Sequence, residues 1–401
     1  SGYSGNLFVN VDAIEELEII TGGYNAEYGQ AMSGVINIKL KEGRDYYEGA
    51  IKYASDRFLS GNSNSDRIEF NFGGPDLFFQ TIPGVFGADL PGRFSFFLNG
   101  YGKMYDGNLP IASKLYPHRY WSSNFISDKK SDKLMDRLAS RENNDWHLLY
   151  KMTWELTPQK KFFISYDASM NINQGYYMPR AFASTYFPYQ YMNILDNYNT
   201  ITRDTRLINM NWTHTLSPKS FYEFTFGRFS TMEHSAVQDL PWTDYQERLD
   251  LEPINYNIDN TDQDGNIQIT YGDEFYDTGF APEWYDLSSE NTRMDLDWTY
   301  HTETRHKLKT GFEHTITDIQ VLDIDEPWSG SSGFGANYDS YNAKTYFGAF
   351  YFQDRIIFEG MTLNIGFRTD YWIPGRYVED AIQDTSNIII TDEARVIFEE
   401  E

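Results

Sequence analysis

Residues 145–170 read DWHLLYKMTWELTPQKKFFISYDASM, and the alternation inside this stretch decides the fold. Trp146, Leu148, Tyr150, Met152, Trp154 and Leu156 fall on every second position. Phe162, Ile164, Tyr166, Ala168 and Met170 do the same, with Lys161, Ser165, Asp167 and Ser169 between them. A period of two is that of a strand with one apolar face. Thr157, Pro158 and Gln159 separate the halves as a tight hairpin turn.

Working outward, the same device recurs. Met294, Leu296, Trp298 and Tyr300 alternate with Arg293, Asp295, Asp297, Thr299 and His301, while Leu363, Ile365 and Phe367 oppose Thr362, Asn364, Arg368 and Asp370. Eleven such segments begin near Tyr47, Asp66, Arg93, Asn144, Lys160, Thr205, Ser220, Asn291, Arg305, Thr345 and Met361. Connections after Leu156, Leu216, Thr302 and Phe358 are short, whereas residues 105–143, 171–204, 231–290 and 318–344 form long polar ones. Short and long connections therefore alternate, which puts tight turns at one end of a sheet and long loops at the other, the asymmetry of outer-membrane barrels. A two-sheet sandwich has no reason to place a long loop at every second connection. Charge on nearly every polar face also favours a wet lumen over a packed core. Residues 73–93, with Pro75, Pro83 and Pro91, break the rhythm. They are long and apolar where a short turn belongs, which means a structured insertion or a misread strand.

Composition agrees. Among 401 residues, 31 Tyr, 29 Phe and 9 Trp dominate the apolar set, a bias towards strands and water–membrane interfaces. A formal charge of -26 argues against nucleic acid, which needs clustered cations. Acidic residues gather in the long connections, for example Asp259, Asp273, Glu274 and Asp277, and by themselves name no partner. With no cysteine there is no disulfide, thiolate zinc site or catalytic thiol. No run of about 18 apolar residues marks a transmembrane helix, but barrel strands need only about 9–11 alternating ones. The opening SGYSGNLFVN carries neither a basic nor an apolar leader region, so a secreted protein would here be mature or truncated.

The first 45 residues differ from the rest. Residues 11–18 read as a short helix, with Asp12 as N-cap and Glu15 completing a capping box. A strand follows at 18–20, then Gly22, Gly23, Gly29 and Gly34 punctuate the chain before an alternating strand at 35–40. The stretch VDAIEELEIITGGYNAEYGQAMSGVINIKLKEG resembles the closing part of the plug domain of TonB-dependent outer-membrane receptors. Ile14, Glu15, Ile19, Gly22, Tyr28, Gly29, Gly34, Val35, Ile36, Asn37, Ile38 and Lys39 stand at matching positions. FGAFYFQDRIIFEGMTLNIGFRTDYW is similar to a barrel hairpin of the same family, through Gln353, Asp354, Gly366, Arg368 and Asp370. GYNAEYGQAMSG looks most like the Oar-like and SusC-like branches.

The resemblance implies an all-β chain: part of an antiparallel outer-membrane β-barrel (46–401), preceded by a short mixed α/β plug-domain fragment (1–45). A complete member has about 22 strands, so eleven are half of one. The N-terminal half of the plug, the energy-coupling box and the closing strands are then expected to lie outside this sequence. The family's function implies import of a bulky nutrient (oligosaccharide, peptide or metal chelate), with outer-membrane lipid, a TonB-type energy-coupling protein and a surface lipoprotein as partners. The rival reading is a non-transporting extracellular β-sheet binding module or adhesin, freely soluble where a barrel needs detergent.

Candidate site residues fall in three groups. Tyr24, Asn25, Glu27 and Gln30 in the plug-like segment are placed to face a lumen and touch cargo, though loop geometry alone explains much of their polarity. Trp121, Tyr176, Tyr177, Trp242 and Trp284 lie in the long connections, where exposed aromatics stack on sugars or grip peptides. The alternative is that they pack the loops together, because loops this long need cores of their own. Asn260, Asp262 and Asp264 before Gly265 look like the first half of a calcium loop, but Tyr271 stands where a bidentate Glu belongs, so a solvated acidic turn competes with a loop Ca2+ site. His301, His306 and His314 lack a third ligand at useful spacing. No nucleophile elbow, phosphate loop or dinucleotide fingerprint is present, so no enzyme is expected.

Overall fold

A computed structural model of the chain describes residues 10–21, 25–29, 34–56, 64–87, 90–106, 141–174, 188–251, 254–261, 267–271, 275–302, 305–330 and 333–375. A 3-10 turn at Val11–Ala13 leads into β1 (Ile14–Ile20), which pairs antiparallel with β2 (Val35–Leu40). The helix expected over 11–18 is therefore a single turn followed by strand. Its cap is Asn10, whose side chain accepts from the Asp12 amide at 3.0 Å, and not Asp12 itself. Glu15 sits inside β1. The ladder sets Ile19 opposite Ile36 and Leu17 opposite Ile38, and cross-strand pairing of these apolar, mostly β-branched residues outweighs the local helix signal. The described plug-like residues hold no α-helix.

The remainder is one continuous antiparallel sheet of 11 strands. In chain order these are β3 (Glu48–Ser55), β4 (Asp66–Pro75), β5 (Arg93–Tyr105), β6 (Asn143–Thr157), β7 (Lys160–Gln174), β8 (Thr200–Ser217) and β9 (Ser220–Ala236). A small hairpin of β10 (Ile254–Thr261) and β11 (Ile267–Tyr271) interrupts the meander. The sheet resumes with β12 (Glu283–His301), β13 (His306–Asp325), β14 (Asn337–Phe358) and β15 (Met361–Ile373). Every strand of the sheet pairs with its sequence neighbour, β9 with β12 included, and β3 and β15 form its edges. This is the meander of a barrel wall, and no described helix is long and apolar enough to cross a membrane.

Side-chain burial along the wall is inverted relative to a globular protein. On one face large apolar residues are open, Phe367 at 69% and Phe350 at 56%, while the opposite face buries Lys151 at 4% and Ser165 at 3%. Parity explains it: Trp298, Leu296 and Met294 point outward, and Asp297, Asp295 and Arg293 point to the face on which the β1–β2 segment lies. Tight turns join β6 to β7, β8 to β9, β12 to β13 and β14 to β15 at one end.

At that same end the connection from β4 to β5 is longer and folded. Leu77–Thr81 forms a π-helical turn continued by a short α-helix, Ile82–Val85. The strand reading on either side holds, and residues 77–85 are a structured insertion. At the other end β12 and β14 begin eight residues earlier than the alternation indicated, at Glu283 and Asn337 in place of Asn291 and Thr345. Beyond the lipid-like band apolar and polar residues no longer alternate strictly, Trp284 and Leu287 falling on opposite parities of β12, so pairing continues where the period-two signal has faded. A separate core closes this long-loop end: Tyr191, Val237, Tyr245, Trp284, Leu322 and Ile324 are buried together, with Trp242 and Phe334 packed against them.

Candidate functional site: the contact between the plug-like segment and the wall

Asn25, Ala26, Glu27 and Tyr28 form a tight turn, closed by the Tyr28 amide on the Asn25 carbonyl at 3.0 Å. It rests on the inner face of β12 to β15. Glu27 is the centre: Lys309 donates to its carboxylate, Asn25 Nδ2 reaches it at 3.2 Å and Gln353 Nε2 at 3.4 Å. Lys309 also stands 3.5 Å from Asp297. One turn further, the Arg368 guanidinium donates to the backbone carbonyls of Glu27 (3.2 Å) and Ala26 (3.4 Å) and pairs with Glu313 and Asp370. Arg293 completes the network at 3.1 Å from Glu313.

Two glycines make this approach possible. A Cβ on Gly29 would lie 2.4 Å from the Arg368 guanidinium, so a side chain there would push the turn off the wall. Gly311 leaves a gap across which the Tyr351 hydroxyl donates to Asp297, where a Cβ would meet the ring at 2.5 Å. Charge-assisted bonds of this kind are the strong ones. Burial pushes the Glu27 carboxyl up, but the hydrogen bond and charge of Lys309, with Asn25 and Gln353, outweigh it and hold the group below its ordinary value.

A second clasp lies at the end of β2. Glu42 bridges Lys151 on β6 (3.0 Å) and Lys161 on β7 (2.7 Å), and Lys151 also donates to the Leu40 carbonyl at 3.1 Å. Burial raises the Glu42 carboxyl, and the two lysines again win and lower it. Between β2 and the wall lies a cleft of about 450 Å³ lined by Lys39, Lys161, Asn209, Asn211 and Glu223. A cleft of about 250 Å³ lies beside Glu27, bounded by Lys307, Lys309, Gln353 and Arg355. The cleft beside Glu27 is polar and charged, suited to hydrated or ionic groups more than to apolar ones, while the larger one mixes those charges with Ile38, Leu40 and Phe163.

Of the residues singled out from sequence, Asn25 and Glu27 sit in the first clasp. Trp284 is the second residue of β12, 1% exposed, with its Nε1 donating to the Leu240 carbonyl at 3.1 Å and its ring 5.0 Å from that of Trp242. It is a core residue of the loop end and not an exposed stacking platform, and half-buried Trp242 packs on it. Asn260 lies in β10, and its side chain is not among those described. Tyr24, Gln30, Trp121, Tyr176, Tyr177, Asp262 and Asp264 fall outside the described residues. His306 pairs with Asp354 at 2.7 Å and His314 with the Tyr371 hydroxyl at 2.7 Å; no cluster able to hold a metal occurs among the described residues. The wall partners Lys151, Lys161 and Lys309 were missed. Their signal was parity, since each is a cation at an inward position of a strand whose outward positions are apolar.

No protein-family model matches the sequence, and no curated protein does. Solved structures do. The ferric citrate transporter FecA, unliganded, aligns over 91% of this chain and 44% of its own, with a TM-score of 0.53 and 12% identity. The outer membrane transporter YddB from Escherichia coli aligns over 94% and 45%, with a TM-score of 0.54 and 12% identity. The ferripyoverdine receptor of the outer membrane of Pseudomonas aeruginosa, bound to ferripyoverdine, aligns over 91% and 44%, at 0.50 and 12%. The chain thus spans less than half the length of these structures. What it is similar to is their fold: one wall of an outer-membrane transporter barrel together with an inner segment held against it.

Proposed function

We propose that this chain supplies the closing part of the plug (residues 1–45) and about half of the barrel (46–401) of a TonB-dependent importer in a bacterial outer membrane. The observation that carries the reading is the two-sided wall. Its outer face is apolar at nearly every second position, and its inner face holds a separate segment through ionic clasps at Glu27 and Glu42. An apolar outer face needs lipid, and a plug held to the wall by ion pairs and one small apolar contact, Ala13 and Leu40 on Phe97 and Leu149, can shift without unfolding the sheet.

In this reading the cargo is bulky and polar, an oligosaccharide, peptide or metal chelate. The iron-chelate receptors among the similar folds support the last class, and the charged clefts suit it. Partners are outer-membrane lipid, a TonB-type energy-coupling protein and a surface lipoprotein; selectivity resides in the long loops and the plug, with a calcium ion in the 260–264 loop as a proposed accessory. Uptake of a panel of chelates and oligosaccharides by cells carrying the intact protein tests it. Uptake that stops when the energy-coupling protein is removed is expected, and undiminished uptake would refute the reading.

A further inference from the structure

The insertion between β4 and β5 has no part in the site above, yet it exposes a cluster of large apolar side chains. Leu77, Phe78, Phe79, Ile82, Val85 and Phe86 are all open, Val85 at 78% and Phe86 at 83%, and residues 77–87 carry no charge. The insertion is held firmly in place. Asp76, itself buried, caps it by accepting from the Phe78 and Phe79 amides at 2.9 Å each, and Tyr150 reaches the other Asp76 oxygen at 3.3 Å. Gln80 accepts from the Phe94 amide at 3.0 Å, and the Thr81 and Tyr47 hydroxyls lie 2.6 Å apart.

These anchors fix which side of the wall the insertion covers. Phe79 stacks on Phe94 (5.4 Å), Phe94 stacks on Trp154 (5.2 Å), and the Trp154 indole donates to the Pro91 carbonyl at 2.9 Å. Phe94 and Trp154 occupy the outward parity of β5 and β6, the same face as Leu148 and Tyr150. The knob therefore continues the apolar outer face past the strand ends at the tight-turn rim, on the outside of the wall and away from the plug-like segment.

From this continuity we infer that residues 77–87 form an interfacial anchor, seated in the phospholipid leaflet at the tight-turn rim with Val85 and Phe86 below the headgroups. The inference rests on the membrane reading above. An uncharged, aromatic, rigidly held projection contiguous with a lipid-facing band has the chemistry of a segment lying in the interface plane. A water-exposed loop at this position would leave a contiguous apolar patch in solvent.

These 401 residues contain no cysteine, so a single spin label introduced here has no competing thiol within them, and any cysteine elsewhere in the intact protein is first replaced by serine. Val85→Cys and Phe86→Cys, with Leu296→Cys as a wall reference and Lys219→Cys as a turn reference, would be labelled in the intact protein reconstituted in phosphatidylethanolamine–phosphatidylglycerol vesicles. Collision with oxygen, which concentrates in lipid, and with a water-soluble nickel chelate would then be measured. The expected result is that labels at 85 and 86 resemble the one at 296, with oxygen collisions several-fold above those at 219 and nickel collisions several-fold below. Labels at 85 and 86 that collide with nickel like the one at 219, while 296 stays protected, would overturn the anchor and leave the barrel standing. Protection from both reagents would overturn it in favour of a protein partner. Nickel access at 296 would show instead that the membrane reading itself has failed.

Discussion

The wall and the long-loop end are built from the same strands, yet they bury opposite residues. Between Met294 and Tyr300 the outward positions of β12 are open and apolar, and the inward ones carry Asp295, Asp297 and Thr299. Ten residues earlier on the same strand, Trp284 is buried in a conventional apolar core with Val237, Leu322 and Ile324. One strand therefore meets two solvents. The loop end obeys the rule for a protein in water, whereas the wall obeys it only if its outer face is in lipid.

The sharpest way to break this contrast is to remove a residue from one region and watch the other. Trp284→Ala empties the centre of the loop core and is expected to cost about 3–5 kcal/mol there. Hydrogen exchange should rise in 236–245 and 320–324 while the hairpins joining β6 to β9 keep their protection. Equal loss in both regions would mean they are one cooperative unit.

Leu296→Arg attacks the wall. A cation near the midplane costs about 2–4 kcal/mol and falls towards zero at the interfaces. Trp298, whose Nε1 donates to Ser220 Oγ at 2.9 Å beside the turn, should tolerate Arg better than Leu296 does. The assembled fraction after refolding into lipid measures both, and equal tolerance at the two depths would deny the apolar slab.

Lys309→Glu acts between the regions, at the clasp. Setting a carboxylate against Glu27 and Asp297 should weaken the plug contact by about 1–3 kcal/mol without disturbing strand pairing. The compensating Glu27→Lys, Lys309→Glu pair should recover part of it. Exchange of the amides at 25–29 is the readout, and no change in the single variant would remove the clasp from the account.

The smallest effect concerns pH. Glu27 and Glu42 are both held below the ordinary value of 4.5 in the folded chain. A carboxyl lowered by folding contributes stability that is present above the unfolded value and lost as pH falls through the folded one. Exchange at 25–29 and 40–43 should therefore be flat above about pH 5 and rise only below 4.5. Lys52 with Asp12, an exposed pair, should add little to this. A rise centred near neutrality would point to another group.

How much of this was legible in the sequence follows the same division. Period-two alternation is written only where one face meets lipid and the other water, so the tight-turn ends of β6, β7, β9 and β15 could be read nearly to the residue, while β7 and β9 run on to Gln174 and Ala236, past the 171 and 231 at which the alternation fades. At Glu283, where both faces leave the band, the pattern stops and the strand does not. The β10–β11 hairpin was invisible for that reason, and the burial of Trp284 is the loop-packing alternative that the length of the connections had raised: in a polar connection, an aromatic residue reads the same whether it packs a local core or faces cargo. The plug-like turn was legible through its glycines and the Tyr28–Gly29 pair, but its partners on the wall lie from 282 to 342 residues away, and nothing local to Lys309 announces Glu27.

The central claim is that the outer face of the wall is a lipid face, and the behaviour of the intact protein in membranes tests it most directly. After alkaline washing, the account predicts that the protein stays with the outer-membrane fraction, leaves it only in detergent, and runs faster on a gel unheated than boiled. Release into buffer as a freely soluble species, with the same mobility before and after heating, would contradict it.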